Sequence, residues 1–348
     1  MENALKAATV IQKNSNSIAE KVVDRIYAAN PGVWEKYGQE GYEMSVRDTE
    51  SHIPYLVESV KTSDTSVFTD YVVWARQLFD NLKLPEDTMS STLIEMDYVI
   101  GQHLDNESYS MVEPVFIAAK QAARQEIKKV ESFIDSSNPL RDVLESYLQA
   151  LLAADRHKAR DVVFKALDDG VTVKDIYLNV FQPSQYEIGR LWQATEISVA
   201  KEHFASAATQ QIMSQLYSRI FSIERIGKKM VAANVGGDLH EMGIRMVADF
   251  FEMEGWDTYF LGANTPLSSM LDSIKEFSPK LLALSASMPF HRTRMRDFVS
   301  QVKKEAPAVH IMIGGRAVKG GQEDLKWFGA DSFARNAQEA VNSANSMI

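Results

Sequence analysis

The residues most able to do chemistry lie in the stretch VGGDLHEMG, 235–243. Asp238 stands two residues before His240, and Gly243 three residues after it. A neutral imidazole is a good metal ligand, and its second nitrogen usually donates to a carboxylate that sets its tautomer and basicity. Asp238 is spaced to be that partner. Gly243, one helical turn on, would let a ligand come close to the backbone. The apolar run KMVAANV precedes the motif, so it sits at a strand-to-helix turn. Ser285 and Ser287 close a second such run, and Gly314 with Gly315 a third, leaving a slot between strand ends and helices.

A second group lies in LWQATEISVAKEH. Ser198 suits a helix N-cap. Val199, Glu202 and His203 then fall at i, i+3 and i+4 and share a face, with Trp192 at the end of the preceding helix. Spacing alone also allows Trp192 and Val199 as plain core and Glu202 with His203 as a solvated pair.

The elements that position these groups form three regions. Residues 1–135 read as an all-α N-terminal domain, broken at NPG, KTSDTS and KLPEDT. Residues 136–225 hold four helical segments with short connections, the pattern of a four-helix bundle. Residues 226–348 alternate five short apolar strands with helices. This pattern predicts a flavodoxin-like (Rossmann-like) parallel sheet covered on both faces, whose ligands bind at the carboxyl ends of the strands. The 348 residues exceed one typical core. A net charge of −10 argues against nucleic acid or an anionic membrane as partner. There is no cysteine, which removes disulfides, thiolate metal sites and thioether-linked chromophores. No signal peptide or transmembrane run is evident, so a cytoplasmic location is expected.

Asp238, His240 and Gly243, with Ser285 and the glycine pair in this α/β pattern, resemble the cobalamin-binding domain of methionine synthase, cobalamin mutases and light-sensing cobalamin regulators. The resemblance implies that His240 replaces the cofactor's own base as lower cobalt ligand, with Asp238 behind it. Glu241, Gly243, Ser285, Ser287, Gly314 and Gly315 would line the cofactor and its nucleotide tail. Ser287 departs from the leucine of many members. Trp192, Val199, Glu202 and His203 match, at fixed spacing, the cap of CarH-type photoreceptors. That likeness implies adenosylcobalamin as cofactor, its adenosyl group held by Glu202 and packed on Trp192. Gln193 stands where CarH has a histidine that binds cobalt after illumination, and residues 1–135 show no winged-helix pattern.

The arrangement of helical domain, cap and cobalamin domain resembles the photocobilins, which add biliverdin as a second chromophore. Without cysteine such a bilin is held non-covalently, with His52, Tyr55, Tyr71 and Trp74 as walls and Arg76 for a propionate. Composition alone favours a dimerisation or packing domain. The expectation is therefore a photoreceptor and not an enzyme. It would be a homo-oligomer (dimer or tetramer) that signals through a separate partner protein. A corrinoid methyl carrier and a light-independent cobalamin-binding module are the alternatives.

Overall fold

The computed structural model describes residues 2–126, 130–221 and 224–347, and of Val33 and Trp34 the backbone only. Residues 127–129 and 222–223, inside the expected N-terminal domain and bundle, lie outside the described ones. The chain forms two compact units, 1–129 and 130–348.

The first unit is helical. Its longest helices are Glu2–Lys13, Ser15–Ala29, Gly38–Thr62, Ser66–Asn81, Thr88–His103 and Glu113–Ala122. Their apolar faces bury Ile11, Ile18, Leu56, Phe68, Leu93 and Phe116, each contributing roughly 1.5–3 kcal/mol.

The second unit begins with the helices Arg141–Leu152 and Arg156–Asp168, a helical stretch over 173–193, and Val199–Gln215. Asp155, Thr172 and Ser198 cap three of these starts through their side chains. The stretch over 173–193 is not uniform, because Tyr177–Phe181 is π-helical. The cause is Pro183. It has no N–H to offer the Asn179 carbonyl, which accepts from Asn138 Nδ2 at 2.8 Å instead.

Five parallel strands follow: β1 Lys229–Val235, β2 Asp257–Thr265, β3 Leu281–Ser285, β4 His310–Gly314 and β5 Ser332–Phe333. Their order is β2-β1-β3-β4-β5, so the sheet reverses between β1 and β3. Residues 230–235 and all of β3 are buried, as a sheet covered on both faces requires. β2 continues to Thr265, with register shifts against β1. There Ala263 N–H donates to Glu241 and Asn264 N–H to the Asp238 carbonyl, so the strand end serves the site loop. β5 pairs with β4 over only two residues.

The helices and the sheet share one core, in which Tyr177, Phe181, Phe250, Phe251 and Trp256 meet. Tyr177 Oη donates to Asp249 Oδ2 at 2.8 Å across this junction. Burial above all pushes the Asp249 carboxyl up to about 6. No described helix is long and apolar enough to cross a membrane.

Candidate cobalamin site

The loop after β1 is built around one carboxylate. Asp238 is fully buried. Its Oδ1 accepts from the His240 backbone N–H and is 3.0 Å from His240 Nδ1. Its Oδ2 accepts from the Ser287 N–H. Burial raises the Asp238 carboxyl, but the hydrogen bonds from His240 and Ser287 outweigh it and hold the group below its ordinary value. The same bond raises the pKa of His240. Nδ1 is thus committed to Asp238, while the His240 side chain stays 62% exposed, so that Nε2 is the nitrogen that could serve as a ligand.

The loop needs glycine at Gly237, where φ is +89° and an added Cβ would strike Arg294. The Gly237 N–H donates to Asn264 Oδ1 at 2.7 Å, and Arg294 Nη1 donates to the Gly236 carbonyl. Gly315 is of the same kind: at φ +90°, a Cβ would lie 2.3 Å from the Ala286 carbonyl oxygen. Gly243 differs, since a Cβ there would meet nothing within 4 Å. The helix borders open space at that position.

Glu202 lies close enough to His240 to help raise its pKa. The helix Val199–Gln215 is tied beside the loop by Gln210, whose Nε2 donates to Glu241 Oε1 at 3.4 Å, and by Arg245, which donates to Ser214 Oγ at 2.9 Å. Here the expected cap residues are arranged among themselves. Glu202 Oε2 lies 2.6 Å from His203 Nδ1, and its Oε1 accepts from Ser206 Oγ at 3.0 Å. Val199 is exposed, Trp192 half-buried and Gln193 buried. Glu241 accepts from the Ala263 N–H at 2.9 Å, so it braces β2.

Three residues escaped sequence reasoning. His291 is buried with Nδ1 3.9 Å from Asp238 Oδ2, and burial lowers its pKa. Leu239 is 73% exposed beside His240. Asn234, fully buried near the end of β1, has no partner for either side-chain polar atom among the described residues. PFHRTR reads only as a helix start, and Asn234 reads as one polar residue in a strand. An exposed imidazole, open space at Gly243 and an unpartnered buried amide near the end of β1 suit a large polar ring cofactor.

The comparisons agree. B12 binding domain models match residues 228–343 and 143–217, and a phycobilisome protein model matches 1–139. Dimethylamine corrinoid protein 3 of Methanosarcina mazei is 30% identical over 121 residues, 34% of this chain and 71% of that protein. The chain belongs to the corrinoid-protein family. It is a cobalamin-binding protein. The HTH-type transcriptional repressor CarA of Myxococcus xanthus is 30% identical over 190 residues, 53% of this chain; the chain spans only 60% of that repressor. The monomethylamine corrinoid protein of Methanosarcina barkeri shares the fold, with a TM-score of 0.54 at 20% identity over 60% of this chain and all of that one.

In the first unit the residues expected to wall a bilin come together. Tyr55 and Tyr71 stack at 3.8 Å, Tyr71 and Trp74 lie 6.0 Å apart, and His52 Nδ1 is 2.8 Å from Tyr71 Oη. Arg76, expected to face a propionate, instead uses its Nη1 on the Ala123 and Gln125 carbonyls, since unpaired carbonyls after a helix need donors. Burial lowers His52 to about 4. Above pH 6.5 it is neutral in folded and unfolded chains alike. As pH falls below that, the unfolded chain protonates first, so the fold loses up to about 3 kcal/mol, fully by pH 4. Hydrogen-exchange protection factors in the helix Gly38–Thr62, taken against the intrinsic rate at each pH, should therefore fall between pH 6.5 and 4. His52→Gln should remove that component; an unchanged profile would show that His52 does not carry it.

Proposed function

We propose that the protein is a photoreceptor that binds adenosylcobalamin between His240 and the segment Trp192–His203, with non-covalent biliverdin in the first unit. The observation carrying this reading is that Glu202, on the helix Val199–Gln215, lies within electrostatic reach of His240. Bound adenosylcobalamin supplies a cobalt–carbon bond that light breaks. The chain's own residues do the rest. His240 holds the metal through Nε2 while Asp238 keeps Nδ1 protonated. Glu202 turns from His203 to the adenosyl group, and Trp192 packs on it.

Loss of those contacts releases the start of the helix Val199–Gln215, whose later turns stay in the core shared with the sheet and are bonded to it by Gln210 and Arg245. The signal passes through a changed homo-oligomer or to a separate protein partner, without enzymatic turnover. The phycobilisome match over 1–139 and the aromatic cluster support the bilin. Because Tyr55 and Tyr71 already stack on each other, the bilin lies against the outer edge of that cluster near Trp74.

The likeness to dimethylamine corrinoid proteins favours a second reading, a methyl carrier. Such a carrier exposes the upper cobalt face and gains nothing from Glu202. Glu202→Ala should weaken adenosylcobalamin roughly tenfold, as loss of a hydrogen bond to a charged group implies, and spare methylcobalamin. Spectral titration with both cofactors checks this, and equal losses would favour the carrier.

A further inference from the structure

Asn234, Ser285 and Gly314 form one register row across β1, β3 and β4. Side chains alternate along a strand. Ala232, Ala283 and Met312, two residues before each, pack in the core shared with the helices Met242–Glu252 and Ala337–Met347. Ala233, Leu284 and Ile313 pack in the opposite core. The row therefore faces the first helix pair, on the side where Gly243 borders open space. Asn234 is the anomaly in it. It is fully buried, and both its Oδ1 and its Nδ2 lack partners among the described residues. An unpaired buried amide is costly, and an apolar residue of the same shape would avoid the cost.

We infer that Asn234 recognises the nucleotide tail of the bound cobalamin, its Nδ2 donating to the ring nitrogen of the tail's base. The inference rests on the reading that His240 holds cobalt. Once an imidazole takes that position, the ring nitrogen of the base loses its metal and becomes an acceptor. Buried in the slot, it needs a donor, and Asn234 is an unused one at the floor. Ser285, its register neighbour, presents a hydroxyl beside it. A residue that selects the tail's base sets which cobamides the protein accepts, favouring those whose base carries an acceptor nitrogen.

Asn234→Leu keeps the side chain's shape and removes both polar groups. Titrations of the full-length protein would use three ligands: cobalamin, cobinamide, which has no tail, and a cobamide whose phenolic base lacks the ring nitrogen. The variant should bind cobalamin roughly tenfold more weakly than the wild type does, with cobinamide and the phenolic cobamide unchanged. Its ligand-free unfolding midpoint should be equal or higher, because an unsatisfied group has gone. Asn234→Ala, smaller and also without the amide, should show the same ligand ranking and serves if the leucine variant fails to fold. Unchanged cobalamin affinity, an equal loss for cobinamide, or a loss that persists with the phenolic base would overturn the inference. Electron paramagnetic resonance of the wild-type cob(II)alamin complex separates the underlying reading. Without imidazole nitrogen hyperfine, the His240 assignment fails first, and the role of Asn234 falls with it.

Discussion

His240→Ala should remove the protein nitrogen from cobalt and weaken cobalamin retention by roughly a hundredfold. Loss of a partner behind a ligand typically costs 10–100-fold, and this change deletes the ligand itself. The geometry concentrates the effect. Asp238 is buried and spends one oxygen on His240 and the other on Ser287 N–H, so the imidazole is held before any cofactor arrives. The cob(II)alamin form of the wild type should show hyperfine splitting from an imidazole nitrogen, and the variant should not. Asp238→Asn should give an intermediate loss, since Ser287 keeps a partner while His240 loses its anion. The exposed position of His240 means that its removal should leave the fold intact. Unchanged retention and an unchanged spectrum would take His240 out of the site.

A chain beginning at Val130 should keep cobalamin and lose all of the red absorption that biliverdin gives the full-length protein. The second compact unit begins at that residue, so the cut leaves its internal contacts whole. No cysteine is present, so acid and organic solvent should extract the bilin from the intact chain. Co-expression with a haem oxygenase, followed by spectra of both forms, checks the expectation. If the full-length protein acquires no red band, the first unit is a packing or dimerisation domain. The cobalamin assignment stands apart from that result.

Much of the second unit was legible because its signals are local. Short, mostly apolar strands between helices leave a buried parallel sheet as the arrangement that covers them, and a five-stranded parallel sheet is what forms. Asp238 and His240 are two residues apart, so their hydrogen bond follows from chain geometry over a single turn. The cap was half legible. Helical spacing placed Glu202 and His203 on one face, but not the bond between them, because neighbouring side chains choose partners by rotamer and by local solvent exposure. The aromatic cluster of the first unit was visible as composition, whereas its closure by Tyr55 on Tyr71 was not. Arg76 shows the same limit, since its carbonyl partners lie 47 and 49 residues away.

By itself the sequence determined that helical segments precede an α/β domain, the lack of any thiol chemistry, and the Asp–His pair at the end of the first strand. These depend on periodicity, composition and near neighbours. Only the tertiary structure decided that Ser287 shares Asp238 across 49 residues, that His291 lies buried beneath that carboxylate, and that Glu202 comes within electrostatic reach of His240. It also decided that the Asn234 side chain has no partner among the described residues, which is a property of everything packed around it. Such contacts join distant segments, and their partners are set by how helices and sheet pack rather than by any spacing along the chain.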